Sequence, residues 1–271
     1  MFKIFIRSVF YFIYQFFFSQ YFLISFVKSK KIIFFDKKNF KFFNQYVNNN
    51  NDLNTFRQIF IKEEYKFNKK INNHVNFIYG KILKQDKIPL IVDCGANICA
   101  SANYFYKAYP KTNIIGIEPD QINFDICKKN NLDQKKIKII KGAISSEKFM
   151  YSLERKNKDG RSSYIKHKDL KNVQKGLPKT ITMEDIMSNY QLEKYEPFII
   201  KIDIEGHEKK FFEYNTEWIK YFKFIIIELH DWMLPNENIS ATFHKALEKN
   251  LSDYEIHNFG ENTLIINNKL K

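Results

Sequence analysis

From Pro89 onward, short apolar runs alternate with helix-like stretches, and this alternation constrains the fold more than any other feature. "LIVD" (90–93) reads as a short buried strand, and residues 99–109 read as a helix stopped by Pro110. "NIIGIEP" is a second strand, Asp120 can open a helix running to about Asn131, and "KIKIIKGAI" is a third strand. Residues 147–180 are polar, carry Gly160, Gly176 and Pro178, and read as strands with a long loop, a candidate acceptor lid. "TMEDIMSNY" is a short helix, "PFIIKIDIEG" and "KFIIIELH" are fourth and fifth strands, and "ISATFHKALEKN" is helical. "YEIHNFGENTLIIN" closes the chain as a hairpin turning near Gly260. Strands alternating with helices and finished by a hairpin predict an α/β fold: a doubly wound, mostly parallel sheet whose last strand is antiparallel.

The chain's 271 residues suit one sizeable domain, expected over 51–271, with an N-terminal helical extension over 1–50. That extension reads as an apolar helix followed by a basic, aromatic linker ending in an asparagine run. "NDLNTFRQIF" then looks like a short helix capped by Asn51 or Asp52. Ser8 to Val27 carries no charge and is long enough to span a bilayer. Lys3 and Arg7 precede it, and Lys28, Lys30 and Lys31 follow; no small-residue cleavage site marks a removable signal peptide. Against a span, Ser8, Gln15 and Ser19 share one helical face, which suits a helix packed on the domain or lying on a membrane surface. The expected location is cytoplasmic, with residues 8–27 as the point of attachment to the inner face of a membrane.

The formal net charge of +14 invites a nucleic-acid or anionic-membrane partner. Arginine, however, occurs only at Arg7, Arg57, Arg155 and Arg161. Nucleic-acid sites lean on arginine forks to read bases and clamp phosphates, so nucleic acid is disfavoured and the lysines read as a solvated surface. Cys94, Cys99 and Cys127 are odd in number and form no CxxC, which reads as three reduced thiols.

In such sheets ligands sit at the carboxyl ends of the strands, so the first strand–turn–helix, "LIVDCGANICASANYF", is the expected cofactor site. A dinucleotide site wants several glycines, because a pyrophosphate must approach bare backbone. Here Gly95 stands alone, followed by Ala96, Asn97 and Cys99. Asp93 at the strand tip would repel a diphosphate and attract the ammonium or sulfonium region of S-adenosylmethionine. Glu118 ends the second strand and can accept both hydroxyls of a ribose. The bland alternative makes Asp93 a helix cap and Glu118 merely exposed.

These residues resemble the FkbM-type methyltransferases, within the Rossmann-like S-adenosylmethionine-dependent class. The resemblance rests on "VDCGANICASANYF", "GIEPDQINF", "GAIS", "IKIDIEGHE" and "IIIELH" in this order, with "TFRQIFIKEEY" as a similar lead-in, over roughly residues 52–267. Cys99 departs from it, standing where the family usually has glycine. The resemblance implies that Asp93, Gly95, Ala96 and Asn97 line the methionine end, and that Ser101 matches the family's serine. It further implies that Glu118 holds the ribose, while Asp120 and Ala143 lie near the adenine.

"KIDIEGHE" places Lys201, Asp203, Glu205, His207 and Glu208 at the end of a buried strand, where Asp203 and Glu205 share a face. Glu228 and His230 end the fifth strand in the same way. Methyl transfer to a hydroxyl needs alignment and removal of a proton, by a histidine or a carboxylate. Asp203 is a candidate for orienting cofactor or substrate, and Glu205 and His230 for the base or the substrate contact. His207 is the less certain histidine, with a local cap as its plain alternative. A divalent metal, magnesium or manganese, held by Asp203, Glu205, Glu228 and His230 is a further route to the same deprotonation. Amine methyltransferases acting on bases carry an Asn/Asp-Pro-Pro-aromatic tetrad where this chain has "DIEG". The leading expectation is an O-methyltransferase acting on a sugar, glycan, lipid-linked sugar or secondary metabolite. The alternatives are a non-catalytic membrane-associated binding protein on a Rossmann-like fold and a nicotinamide-dependent oxidoreductase.

Overall fold

The computed structural model describes residues 12–27, 30–132, 134–155, 163–167 and 178–270. A short helix, α1, covers residues 12–17. Strands β1 (Tyr21–Val27), β2 (Lys31–Asp36) and β3 (Lys41–Tyr46) follow and form an antiparallel sheet in the order β1-β2-β3. This corrects the apolar helix expected over 8–27 and the helical extension built on it; residues 8–11 lie outside the described residues. The polar groups that suggested a packed helix instead turn the chain. The Gln15 side-chain oxygen accepts the Leu23 N–H at 2.8 Å, and the Ser19 hydroxyl accepts the Tyr21 N–H at 3.1 Å. Tyr21 and Leu23 then face inward. Among the described residues no helix is long and apolar enough to cross a membrane.

The inner face of this sheet joins the main core through rings. Phe34 stacks on Phe43 at 5.1 Å, and Tyr21 meets Phe60 edge-on at 5.0 Å. Helix α2 (Asn50–Phe56) is capped by Asn49, slightly earlier than expected, its side chain accepting from the N–H groups of Asn51 and Asp52. A π-helical turn (Arg57–Ile61) leads on to α3 (Lys69–Lys84), capped by Asn68.

The alternating part follows: β4 (Ile88–Cys94), α4 (Ala100–Ala108), β5 (Asn113–Glu118), α5 (Gln121–Asn130) and β6 (Ile137–Lys141). The polar region contains the antiparallel pair β7 (Tyr151–Arg155) and β8 (Ser163–His167); Gly160 and Gly176 lie outside the described residues. Next come α6 (Met183–Met187), β9 (Tyr195–Ile202), α7 (Glu208–Glu213), β10 (Phe224–Glu228), α8 (Ile239–Asn250), β11 (Tyr254–Phe259) and β12 (Asn262–Asn267).

The central sheet has the order β11-β12-β10-β9-β4-β5-β6. Its body is parallel, and β12 runs antiparallel to both β10 and β11. The strands are apolar on both faces, as buried parallel strands must be. Ile91, Ile199 and Ile226 pack on one side; Val92, Ile200 and Ile227 pack with Phe211 and Phe243 on the other. The chain builds outward from β4 to β6 and then returns to β9 on β4's other flank. The crevice opened by that reversal lies at the carboxyl ends of β4 and β9.

Candidate active site

The turn after β4 is pressed against the end of β9. Gly95 has φ +79°, and a Cβ there would sit 1.8 Å from the Asp203 carbonyl oxygen, so only glycine fits. Asn97 and Cys99 also occupy the left-handed region, at φ +51° and +64°. This accounts for the family's preference for glycine where Cys99 stands. Cys99 is not a free thiol, contrary to the reading of three reduced cysteines: its sulfur is bonded to that of Cys127. The start of α4 and the body of α5 bring their Cα atoms to 4.9 Å, within disulfide range. Cys94 is free and buried.

Asp93 is fully buried behind the turn. Its Oδ2 accepts the Ser101 hydroxyl at 2.5 Å, and the Lys201 ammonium lies 3.3 Å from its Oδ1. Burial pushes the Asp93 carboxyl up, against Lys201 and Ser101, which pull it down. Lys201 stands opposite Asp93 in the β4–β9 register, donates to the Gly95 carbonyl at 2.9 Å and lies 3.4 Å from Asp203. Burial alone would lower the Lys201 pKa, but Asp93 and Asp203 raise it well above the usual lysine value. Asp93 thus sets the turn from behind, while Gly95, Ala96, Asn97, Ser101 and Asp203 line the cleft.

Glu118, at the end of β5, accepts the N–H of Asn97 and of Asp120, each at 2.8 Å. Burial, opposed by those two bonds, pushes its carboxyl up to about 7. Asp120 caps α5, accepting from Ile122 and Asn123 at 2.9 and 3.2 Å. Ala143 is buried just past β6, its carbonyl accepting the Ile181 N–H at 2.8 Å.

Across the cleft, Glu205 sits on left-handed backbone at φ +55°. Burial, then the negative charge of Asp203, push its carboxyl up to about 7. His230 Nδ1 lies 2.8 Å from Glu208 Oε1, and its Nε2 lies 3.4 Å from Glu228 and 3.8 Å from Asp203. Burial alone would lower the pKa of this ring, but the three carboxylates raise it to about 11. Asp203, Glu228 and His230 bring donor atoms within 4.8 Å of one another. His207 turns away from this group: its Nε2 lies 3.3 Å from the Ser145 hydroxyl, and burial lowers it to about 4.

Residues outside the sequence-predicted set complete the cleft. Gln58, Glu64 and Tyr65 reach it from the segment before α3, and Glu261 from the final hairpin. Glu64 accepts from Gln58 and Asn262, each at 3.0 Å, which ties that segment over the strand ends. The signal for Gln58, Glu64 and Tyr65 was present in "TFRQIFIKEEY", whose resemblance to the family's lead-in had no role attached.

Residues 93–259 match the model of the methyltransferase FkbM domain, and with more than half its length matched the chain belongs to this family of S-adenosylmethionine-dependent methyltransferases. No curated protein matches the sequence. Among solved structures, the chain is similar to a Staphylococcus aureus protein described as a caffeoyl-CoA O-methyltransferase. The identity is 14%, coverage is 79% of this chain and 88% of that one, and the TM-score is 0.43. It is also similar to the N-terminal domain of human METTL16 in complex with S-adenosylhomocysteine, at 14% identity, 71% and 67% coverage and a TM-score of 0.38.

The residues present fit S-adenosylmethionine. The Gly95 turn presents backbone that no side chain could share, Asp203 offers a carboxylate beside it, and each Glu118 oxygen keeps a lone pair beyond the bond it accepts.

Proposed function

We propose that this protein is an O-methyltransferase whose acceptor is a hydroxyl of a sugar, glycan, lipid-linked sugar or secondary metabolite. The observation that carries this reading is the position of Glu205, whose residue lines the same cleft as the Gly95–Asn97 turn. S-adenosylmethionine, when bound, supplies an electrophilic methyl carbon. Gly95, Ala96, Asn97 and Ser101 would hold its methionine end and Glu118 its ribose. The Glu205 carboxylate takes the proton from the acceptor hydroxyl. His230, fixed by Glu208, holds positive charge between Asp203 and Glu228 and lets these carboxylates share one wall. Glu205, Glu228 and Glu261 offer that wall as hydrogen-bond acceptors for a polyhydroxylated ring. Trp232, 74% exposed and with its ring centroid 6.1 Å from that of His230, offers the apolar plane. A phosphorylated or carboxylated group at the same wall would be repelled. Labelled methyl transfer onto a panel of neutral glycans and polyols identifies the acceptor. Glu205→Gln should then lose turnover while keeping its affinity for S-adenosylhomocysteine.

A second reading keeps the reaction and changes the activating group. The donor spacing of Asp203, Glu228 and His230 suits one divalent cation, which would acidify the hydroxyl as a Lewis acid. Turnover lost to a chelator and restored by magnesium or manganese supports that route; turnover indifferent to the chelator removes it.

A further inference from the structure

The N-terminal sheet has two apolar faces, and among the described residues only the inner one packs on the main core. On the outer face Phe22, Phe35 and Phe42 stand opposite one another across all three strands. Phe12 of α1 packs edge-on against Phe22 at 5.3 Å, and Phe42 lies 5.0 Å from Phe35. Phe22 and Phe35 are half-buried, and the rings at the rim are open to solvent: Phe42 is 67% exposed, Phe40 at the β2–β3 turn 81%, and Phe12 56%. Lys37 from the turn donates to the carbonyls of Gln15 and Phe16, which ties the end of α1 to the β2–β3 turn, and the rings of Phe16, Phe17 and Phe18 are exposed there. Soluble surfaces rarely expose so many contiguous large apolar rings without a partner.

The charge around this face selects the partner. At the β2–β3 turn Lys37 and Lys38 flank Phe40, Lys31 stands at the other end of the outer row, and the single acid between residues 30 and 41 is Asp36. Asp36 is buried, and its carboxylate accepts from Gln20, Lys38 and Asn39, so it presents no negative charge outward. Aromatic rings at the tip with lysines around them match the layered chemistry of a bilayer surface: acyl chains below, anionic headgroups at lysine height. A protein partner of the same shape would need acidic groups spaced to the lysines, whereas a lipid surface adapts to them. We infer that the outer face of β1–β3 with α1 docks the protein on an anionic membrane surface, without spanning it. The inference is independent of the reaction assigned to the cleft.

The test is co-sedimentation of the full chain with phosphatidylcholine vesicles, with and without phosphatidylglycerol. The protein should pellet with the anionic vesicles and be released by salt. Phe40→Ser with Phe42→Ser should weaken pelleting by about tenfold or more, and Lys38→Glu several-fold. These residues are exposed, so the variants' melting curves should match the parent's. Failure to pellet, equal pelleting with both vesicle types, or unaffected variants would overturn the inference. So would a vesicle-free dimer that Phe42→Ser dissociates, because a second copy would then own this face.

Discussion

The ammonium of Lys201 lies 3.3 Å from the carboxylate of Asp93, and both groups are almost completely shut off from solvent. The ends of β4 and β9 beside the Gly95 turn are thus locked by a buried ion pair rather than by packing alone. Removing one partner leaves the other charge uncompensated, which typically costs about 3–5 kcal/mol. Lys201→Met should therefore lower the stability measured by urea unfolding by about that amount, with cofactor affinity falling alongside it. A variant as stable as the parent would show that the pair is structurally idle.

Two glycines should respond in opposite directions to alanine. Gly95→Ala drives a Cβ into the Asp203 carbonyl and should abolish S-adenosylhomocysteine binding or folding. Gly80 lies within α3 with nothing within 4 Å of where a Cβ would go. Gly80→Ala should stabilise by about 1 kcal/mol through helix propensity. Thermal melts of both variants check the contrast.

With Glu118 proposed as the ribose contact, cofactor binding should depend on pH near neutrality. Its carboxyl is raised to about 7, so it gains a proton as the pH falls through that value. The neutral acid is a poorer acceptor for ribose hydroxyls than the carboxylate. Affinity for S-adenosylhomocysteine should accordingly fall on acidification through about 7, and Glu118→Gln should flatten the profile. A step that persists in the variant would move the titrating group elsewhere.

Thiol counting addresses the Cys99–Cys127 bond. Denatured, unreduced protein should expose one alkylatable thiol, Cys94, and reduced protein all three. A closed loop with 28 residues of sequence separation corresponds to roughly 3–4 kcal/mol of stabilisation in the chain-entropy model, so reductant should lower the unfolding midpoint. Three reactive thiols without reductant would contradict the linkage.

The sequence made the parallel sheet readable because each buried strand is a near-continuous apolar run that ends on a chemically distinct residue: Asp93, Glu118, Asp203 or Glu228. The N-terminal sheet was not readable for the opposite reason. Between residues 12 and 35 aromatic residues are so dense that helix and strand periods overlap, and long-range bonds from Gln15 and Ser19 decide between them. The pairing of Cys99 with Cys127 and the bracing of His230 by Glu208 depend on contacts across 28 and 22 residues, which local spacing does not encode.

The most direct test is calorimetric titration of S-adenosylhomocysteine into the parent and into Glu118→Ala. The expected result is micromolar binding by the parent, weakened by about 1–3 kcal/mol in the variant for a lost charged hydrogen-bond partner. No binding by the parent, or equal affinity in both, would contradict a cofactor site at the ends of β4 and β5.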